Sequence, residues 1–97
     1  MIYHITTVEA WRKALQEGVY SAPSLQSEGF IHCSTESQTA GVLQRYFAGQ
    51  KDLVQLNIDE DKLSSELQYD FVAEQDEDYP HVYGPINVDA VVDAIML

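Results

Sequence analysis

The spacing of apolar positions changes several times along the chain, and each change predicts a new element. Residues 2–5, "IYHI", are β-branched and aromatic apart from one histidine and predict a short first strand. Thr6 then stands three residues before Glu9, the spacing of a capping box. Val8, Trp11, Ala14 and Leu15 follow at helical spacing, and Gly18 supplies the stop. "SAPSLQSEG" breaks this pattern and predicts a loop or a broken turn around Pro23. A second strand is expected over residues 29–33, followed by a second capping box at Thr35 and Gln38. Ala40, Leu43 and Phe47 line one face of a second helix that ends at Gly49.

The period then changes from helical to alternating. Between Leu53 and Asp59, Val54, Leu56 and Ile58 alternate with Gln55 and Asn57, the pattern of a half-buried strand. "EDKLSSEL" predicts a polar turn or a single helical turn, and Tyr69, Phe71 and Ala73 predict another alternating strand. "EQDEDYP" is expected to be an exposed acidic loop, and "HVYGPIN" a turn stiffened by proline on either side. The closing "AVVDAIML" is a nearly continuous apolar strand, either central in a sheet or an edge open to a second copy. The sum is an α+β single domain over residues 1–97, with about five strands and two main helices packed on a sheet.

Charge narrows the function classes. Sixteen acidic residues against five basic ones give a formal net charge of −11, and the basic residues are scattered. Nucleic acid and anionic membrane surfaces are poor partners for such a chain, because both need clustered Lys and Arg. A small anionic ligand remains open if local donors receive it. The single cysteine excludes an internal disulfide and fits a reducing compartment. With no basic leader and no long apolar run at the start, a cytoplasmic location is expected.

The candidate chemistry lies in three histidines. His4 and His32 are expected near strand ends just ahead of helix caps, where free N–H groups point outward. If their strands are neighbours, both imidazoles line one cleft. The competing explanation is a core histidine satisfied by one backbone bond, which is common for a histidine in an apolar strand. His81 and Tyr83 sit in the stiff turn, where both are able to bond a ligand. Ser34 shares the face of His32, whereas Cys33 alternates away from it and is expected to be a small buried hydrophobe. Glu28, Asp70 and Glu74 are carboxylates within reach of such a cleft. The histidine separations of 28 and 49 residues match no zinc motif, so no metal is expected.

Four stretches, "IYHIT…W", "SEGFIHCST…Q", "YF.G..DLV.L.ID" and "YPHVYGPIN.DAVV", closely resemble the family known as domain of unknown function 952. The resemblance runs from Ile2 to Val92 and implies a small bacterial protein. That family is in turn similar to the ADP-ribosyltransferase fold, a small split β-sheet that holds a nicotinamide dinucleotide in its central cleft. The resemblance implies that His4 and His32 grip the riboses of an NAD-like or ADP-ribose-like small molecule. The third position falls to His81 or Tyr83, and no residue declares itself a catalytic glutamate. On this reading His32 and His81 are the candidate catalytic residues, and His4, His32, Ser34, His81 and Tyr83 the ligand-binding set. The alternative is a non-catalytic module that uses the same cleft for a small ligand or a protein partner.

Overall fold

A computed structural model describes all residues from Met1 to Leu97. The chain folds as β1 (Ile2–Thr7), α1 (Val8–Glu17), β2 (Val19–Tyr20), α2 (Pro23–Glu28), β3 (Ile31–His32), α3 (Thr39–Phe47), β4 (Leu53–Ile58), β5 (Leu67–Val72), β6 (Glu77–Val82), β7 (Ile86–Asn87) and β8 (Val91–Met96). It is α+β, as expected, but it has three α-helices rather than two and eight strands rather than about five. Two of the three extra strands, β2 and β7, have two residues each and are too short to leave a periodic signal; the third is β6.

All strand pairs are antiparallel. They form a three-stranded sheet ordered β1-β4-β8, a second ordered β3-β6-β5, and a two-stranded ribbon of β2 and β7. One β-bridge joins the two larger sheets. Tyr3 donates its N–H to the Ser34 carbonyl at 2.9 Å, and Ser34 returns the bond to Tyr3 at 2.7 Å.

The core gathers on β4, the central strand of the first sheet. Val54, Leu56 and Ile58 are essentially fully buried, together with Ile2, Ile31 and Val82. Gln55 and Asn57 take the opposite face, where Gln55 donates to the Asn57 side chain at 3.1 Å. The alternation read from the sequence is therefore the alternation observed. α1 adds Ala14 and Trp11 to this core.

Four local expectations need correction. The first helix is capped by Thr7, whose Oγ1 accepts from the Ala10 N–H at 3.1 Å; Thr6 stays in β1 with its side chain buried. Both threonines are in β1 and paired with β4, and Thr7 is the one that directly precedes the helix. Residues 23–28 are a helix rather than a loop. Pro23 begins it, where the missing N–H costs nothing, and Gly29 ends it at φ 90°, a left-handed conformation glycine adopts freely.

The third correction concerns "EQDEDYP". The turn covers only residues 73–76, and Glu77 onward pairs with β5 as a long hairpin. Glu77 and Asp78 are exposed, so their charge is compatible with a strand. Pro80 fits the middle strand of its sheet because its carbonyl accepts from Cys33 on the β3 side. Its nitrogen therefore faces the same side, beyond the two-residue ladder of β3. Fourth, Tyr69 and Phe71 lie on the open face of edge strand β5 and remain exposed, while Ala73 falls in the turn. β8 is likewise an edge, and Val92, Ile95 and Met96 are exposed on it.

These burials predict unequal losses on truncation. Leu56→Ala is expected to lower the unfolding free energy by about 2–5 kcal/mol through lost burial and the cavity left behind. Phe71→Ala, which removes a side chain already in water, should change it by less than about 0.5 kcal/mol. Urea unfolding of both variants checks the contrast. Equal losses would contradict the placement of β5 with an uncovered outer face.

Candidate functional site

The seam between the two larger sheets opens into a cleft of about 560 Å³. Its walls include His4, His32, Ser34 and His81 from the strands, Glu28 from α2, Val42, Arg45, Tyr46 and Phe47 from α3, and Glu74 and Gln75 from the β5–β6 turn. Four of the five residues singled out from the sequence therefore meet. Tyr83 does not line the cleft. Of the three carboxylates considered, Glu28 and Glu74 are in the walls and Asp70 is not.

His4 lies in mid-strand rather than at a strand end. It pairs in register with Leu56 on the core face of β1, where an unsatisfied imidazole would be costly. Both ring nitrogens are engaged. Nδ1 lies 2.6 Å from the His32 carbonyl, which can only accept, so Nδ1 carries the proton. Nε2 then accepts from the Tyr20 hydroxyl at 2.8 Å, with the Thr6 hydroxyl 3.0 Å from the same tyrosine oxygen. Burial of the ring is the main reason its pKa falls from 6.5 to about 4. His4 is thus a neutral clamp between β1, β3 and the Tyr20 ribbon.

His32 and His81 face each other across β3 and β6. They are direct register partners, with ring centroids 5.2 Å apart in a T-shaped contact. His32 is half-exposed, and its Nε2 lies 2.9 Å from the Glu28 carboxylate one helical turn earlier in sequence. His81 is buried, and it belongs to a strand rather than to the predicted turn. Its Nδ1 lies 2.8 Å from Asp70 Oδ2, which also accepts from the Tyr83 hydroxyl.

That arrangement fixes the role of each atom. The hydrogen bond from Tyr83, and then the one from His81, hold the Asp70 carboxyl below the usual carboxylate range, so it is an anion at neutral pH. The same contact pushes the Tyr83 phenol up. A carboxylate at Nδ1 selects the Nδ1–H form of the neutral imidazole and leaves a lone pair on Nε2. His81 Nε2 is the one buried side-chain polar atom without a hydrogen-bond partner. Such atoms are rare in folded proteins.

Phe30, two positions before His32, packs against this pair. Its ring centroid is 4.0 Å from that of His81 and 4.9 Å from that of His32. Cys33 is buried in the core cluster, and burial pushes its thiol up to about 12, so no thiolate is present for nucleophilic chemistry. No group of three His, Cys, Asp or Glu side chains is placed to hold a metal ion.

Arg45 and Tyr79 are residues that the sequence did not single out. Tyr79 shares the face of His81 two positions away on β6, a relation visible only once that segment is recognised as a strand. Arg45 carried a signal as the one basic residue on α3.

The chain belongs to the family described as Protein of unknown function (DUF952), whose profile matches residues 5–94. Its fold is similar to the crystal structure of protein CC0527 from Caulobacter crescentus, with a TM-score of 0.88 and 28% identity over 96% of this chain and 82% of that one. The solution structure of the same Caulobacter protein gives a TM-score of 0.84 and 28% identity, covering 99% and 83% of the two chains. No curated protein matches the chain significantly. No helix is long and apolar enough to cross a membrane.

The lowered pKa of His4 predicts a defined acid sensitivity. The unfolded chain takes up a proton at His4 near pH 6.5, whereas the folded chain refuses it until about pH 4. Stability from this group is therefore complete above pH 6.5 and declines as pH falls towards 4, by roughly 3 kcal/mol in all. Urea midpoints measured from pH 7 to pH 4 should show this slope in the wild type and lack His4's share of it in His4→Gln. Equal slopes in both proteins would contradict the assignment.

Proposed function

We propose that this chain binds a small molecule in the His32–His81 cleft and that His81 exchanges a proton with it. The observation that carries this reading is the buried Nε2 of His81, unpartnered while Asp70 holds the opposite nitrogen. A carboxylate-held imidazole with a free second nitrogen has the arrangement of a general base, and of a general acid once protonated. The cleft volume lies within the range of small-molecule sites, and a few polar groups converge among apolar walls, as such sites require.

The ligand class we propose is a nucleotide of the NAD or ADP-ribose type. The similarity of the family's motifs to the ADP-ribosyltransferase fold supports this, as do the tyrosine and phenylalanine rings of α3, which offer surfaces for a base to stack on. Within that reading the three histidines divide their work. His32 and His81 meet the ligand, with Ser34 beside them, whereas His4 shapes the wall because its nitrogens are already engaged. Tyr83 acts through Asp70 rather than on the ligand. The Glu28 carboxylate at His32 is the acidic group best placed to enter a reaction.

An NMR titration with NAD, following the histidine ring signals, tests the proposal. The His32 and His81 signals should shift together and saturate, and His81→Gln should weaken binding by about tenfold, equivalent to about 1.4 kcal/mol. If neither ring responds while the spectrum stays that of a folded protein, the nucleotide reading fails. Saturable binding with no product formed in a turnover assay would instead assign the cleft to a non-catalytic module.

A further inference from the structure

We infer that Arg45, anchored on Tyr79, is the oxyanion-recognition group of the cleft and takes the phosphate of a phosphorylated sugar whose hydroxyl end faces His81. The inference deepens the nucleotide reading above and rests on it for the identity of the whole ligand.

The argument begins with charge. In a chain of net charge −11 a diffusing anion is repelled by most of the surface, so an anionic ligand needs a dedicated cation. Arg45 is the only Lys or Arg in the cleft walls. It forms no salt bridge, although sixteen acidic residues surround it in the same small molecule. Its Nη2 instead donates to the hydroxyl of Tyr79 at 3.0 Å, and Tyr79 is buried.

That bond uses one of the five N–H groups of a guanidinium and fixes the direction of the fork. The local sequence also keeps room for it. Position 41, one helical turn earlier, is glycine, and a Cβ there would stand 2.9 Å from Arg45 Nη1. The Arg45 Cζ lies 5.8 Å from the Tyr46 ring centroid, a second restraint on the same group. A guanidinium held this way, with N–H groups left over and no carboxylate partner, is preorganised for a planar two-point contact with a phosphate.

The spacing of Arg45's anchor, Tyr79, from His81 sets the kind of ligand. Tyr79 and His81 are two positions apart on one face of β6, about 7 Å along the strand. A sugar phosphate is long enough to place its phosphate at Arg45 and a ring hydroxyl towards the lone pair of His81 Nε2. The buried, unpartnered nitrogen is thus the second recognition point, independent of the cation.

Binding of inorganic pyrophosphate, ribose 5-phosphate, ribose and acetate, followed on the Arg45 Nε–H and His81 ring signals, tests the inference. Pyrophosphate should move Arg45 saturably in the low millimolar range. Ribose 5-phosphate should move both Arg45 and His81, and ribose alone neither. Arg45→Gln should weaken ribose 5-phosphate about tenfold, with Arg45→Lys in between because it keeps the charge and loses the fork. Tyr79→Phe, which keeps the ring and removes the anchor, should fall beside the lysine variant.

The inference is overturned if Arg45→Gln binds ribose 5-phosphate as tightly as wild type, if pyrophosphate leaves Arg45 unmoved, or if acetate moves it as strongly as pyrophosphate. A different result separates the two readings. If the phosphates engage Arg45 while NAD leaves His32 and His81 unmoved, the oxyanion site stands and the nucleotide assignment falls.

Discussion

The structure depends on the seam where β1 meets β3. Two three-stranded sheets come together there through a single backbone bridge, Tyr3 to Ser34, and one side-chain bond, His4 Nδ1–H to the His32 carbonyl. Neither sheet has many strands, and β3 contributes only two residues. A part-buried imidazole with both nitrogens engaged makes the junction specific, because sliding either sheet would leave a polar group at the edge of the core unsatisfied. Tyr20 and Thr6 complete the clamp and tie in the small β2–β7 ribbon.

The same junction builds the cleft. With His4 drawing the His32 carbonyl towards β1, the His32 side chain stands on the cleft side and meets its register partner His81. Asp70 then reaches His81 diagonally from the neighbouring strand, two places along from Gln68, which lies directly opposite. Each cleft histidine thus has its own carboxylate, Glu28 for His32 and Asp70 for His81, and the two differ in burial. The exposed pair is free to exchange partners with a ligand. In the other pair His81 is buried against a half-buried Asp70, and its second nitrogen has no partner.

Much of this was legible in the sequence where one physical signal dominated. The alternation at Val54, Leu56 and Ile58 marked the central strand, and the Thr35–Gln38 pair marked the entry to the second long helix, where the Thr35 N–H does bond the Gln38 side chain. Grouping His4, His32, Ser34 and His81 was also possible from their company in strand-like segments. What was hidden depended on tertiary partners. Glu77 and Asp78 read as part of the acidic loop because the exposed start of a strand tolerates charge that a buried stretch would not. Tyr69 and Phe71 read as one face of an alternating strand, and alternation does not say whether anything covers that face. The division of labour between His4 and His81 was also out of reach. Both sit in apolar company, and only the positions of Tyr20, the His32 carbonyl and Asp70 separate a clamp from a group with a free nitrogen.

The central claim is that Asp70 holds His81, a cleft residue, as the Nδ1–H form and leaves its Nε2 lone pair unpartnered. The most direct measurement is a long-range ¹H–¹⁵N correlation spectrum of the histidine rings, recorded on wild type and Asp70→Asn with the rings neutral. The account predicts a protonated Nδ1 and a bare Nε2 for His81 in the wild type, and loss of that preference in the variant. A His81 protonated at Nε2 in the wild type, or a preference unchanged by Asp70→Asn, would contradict it.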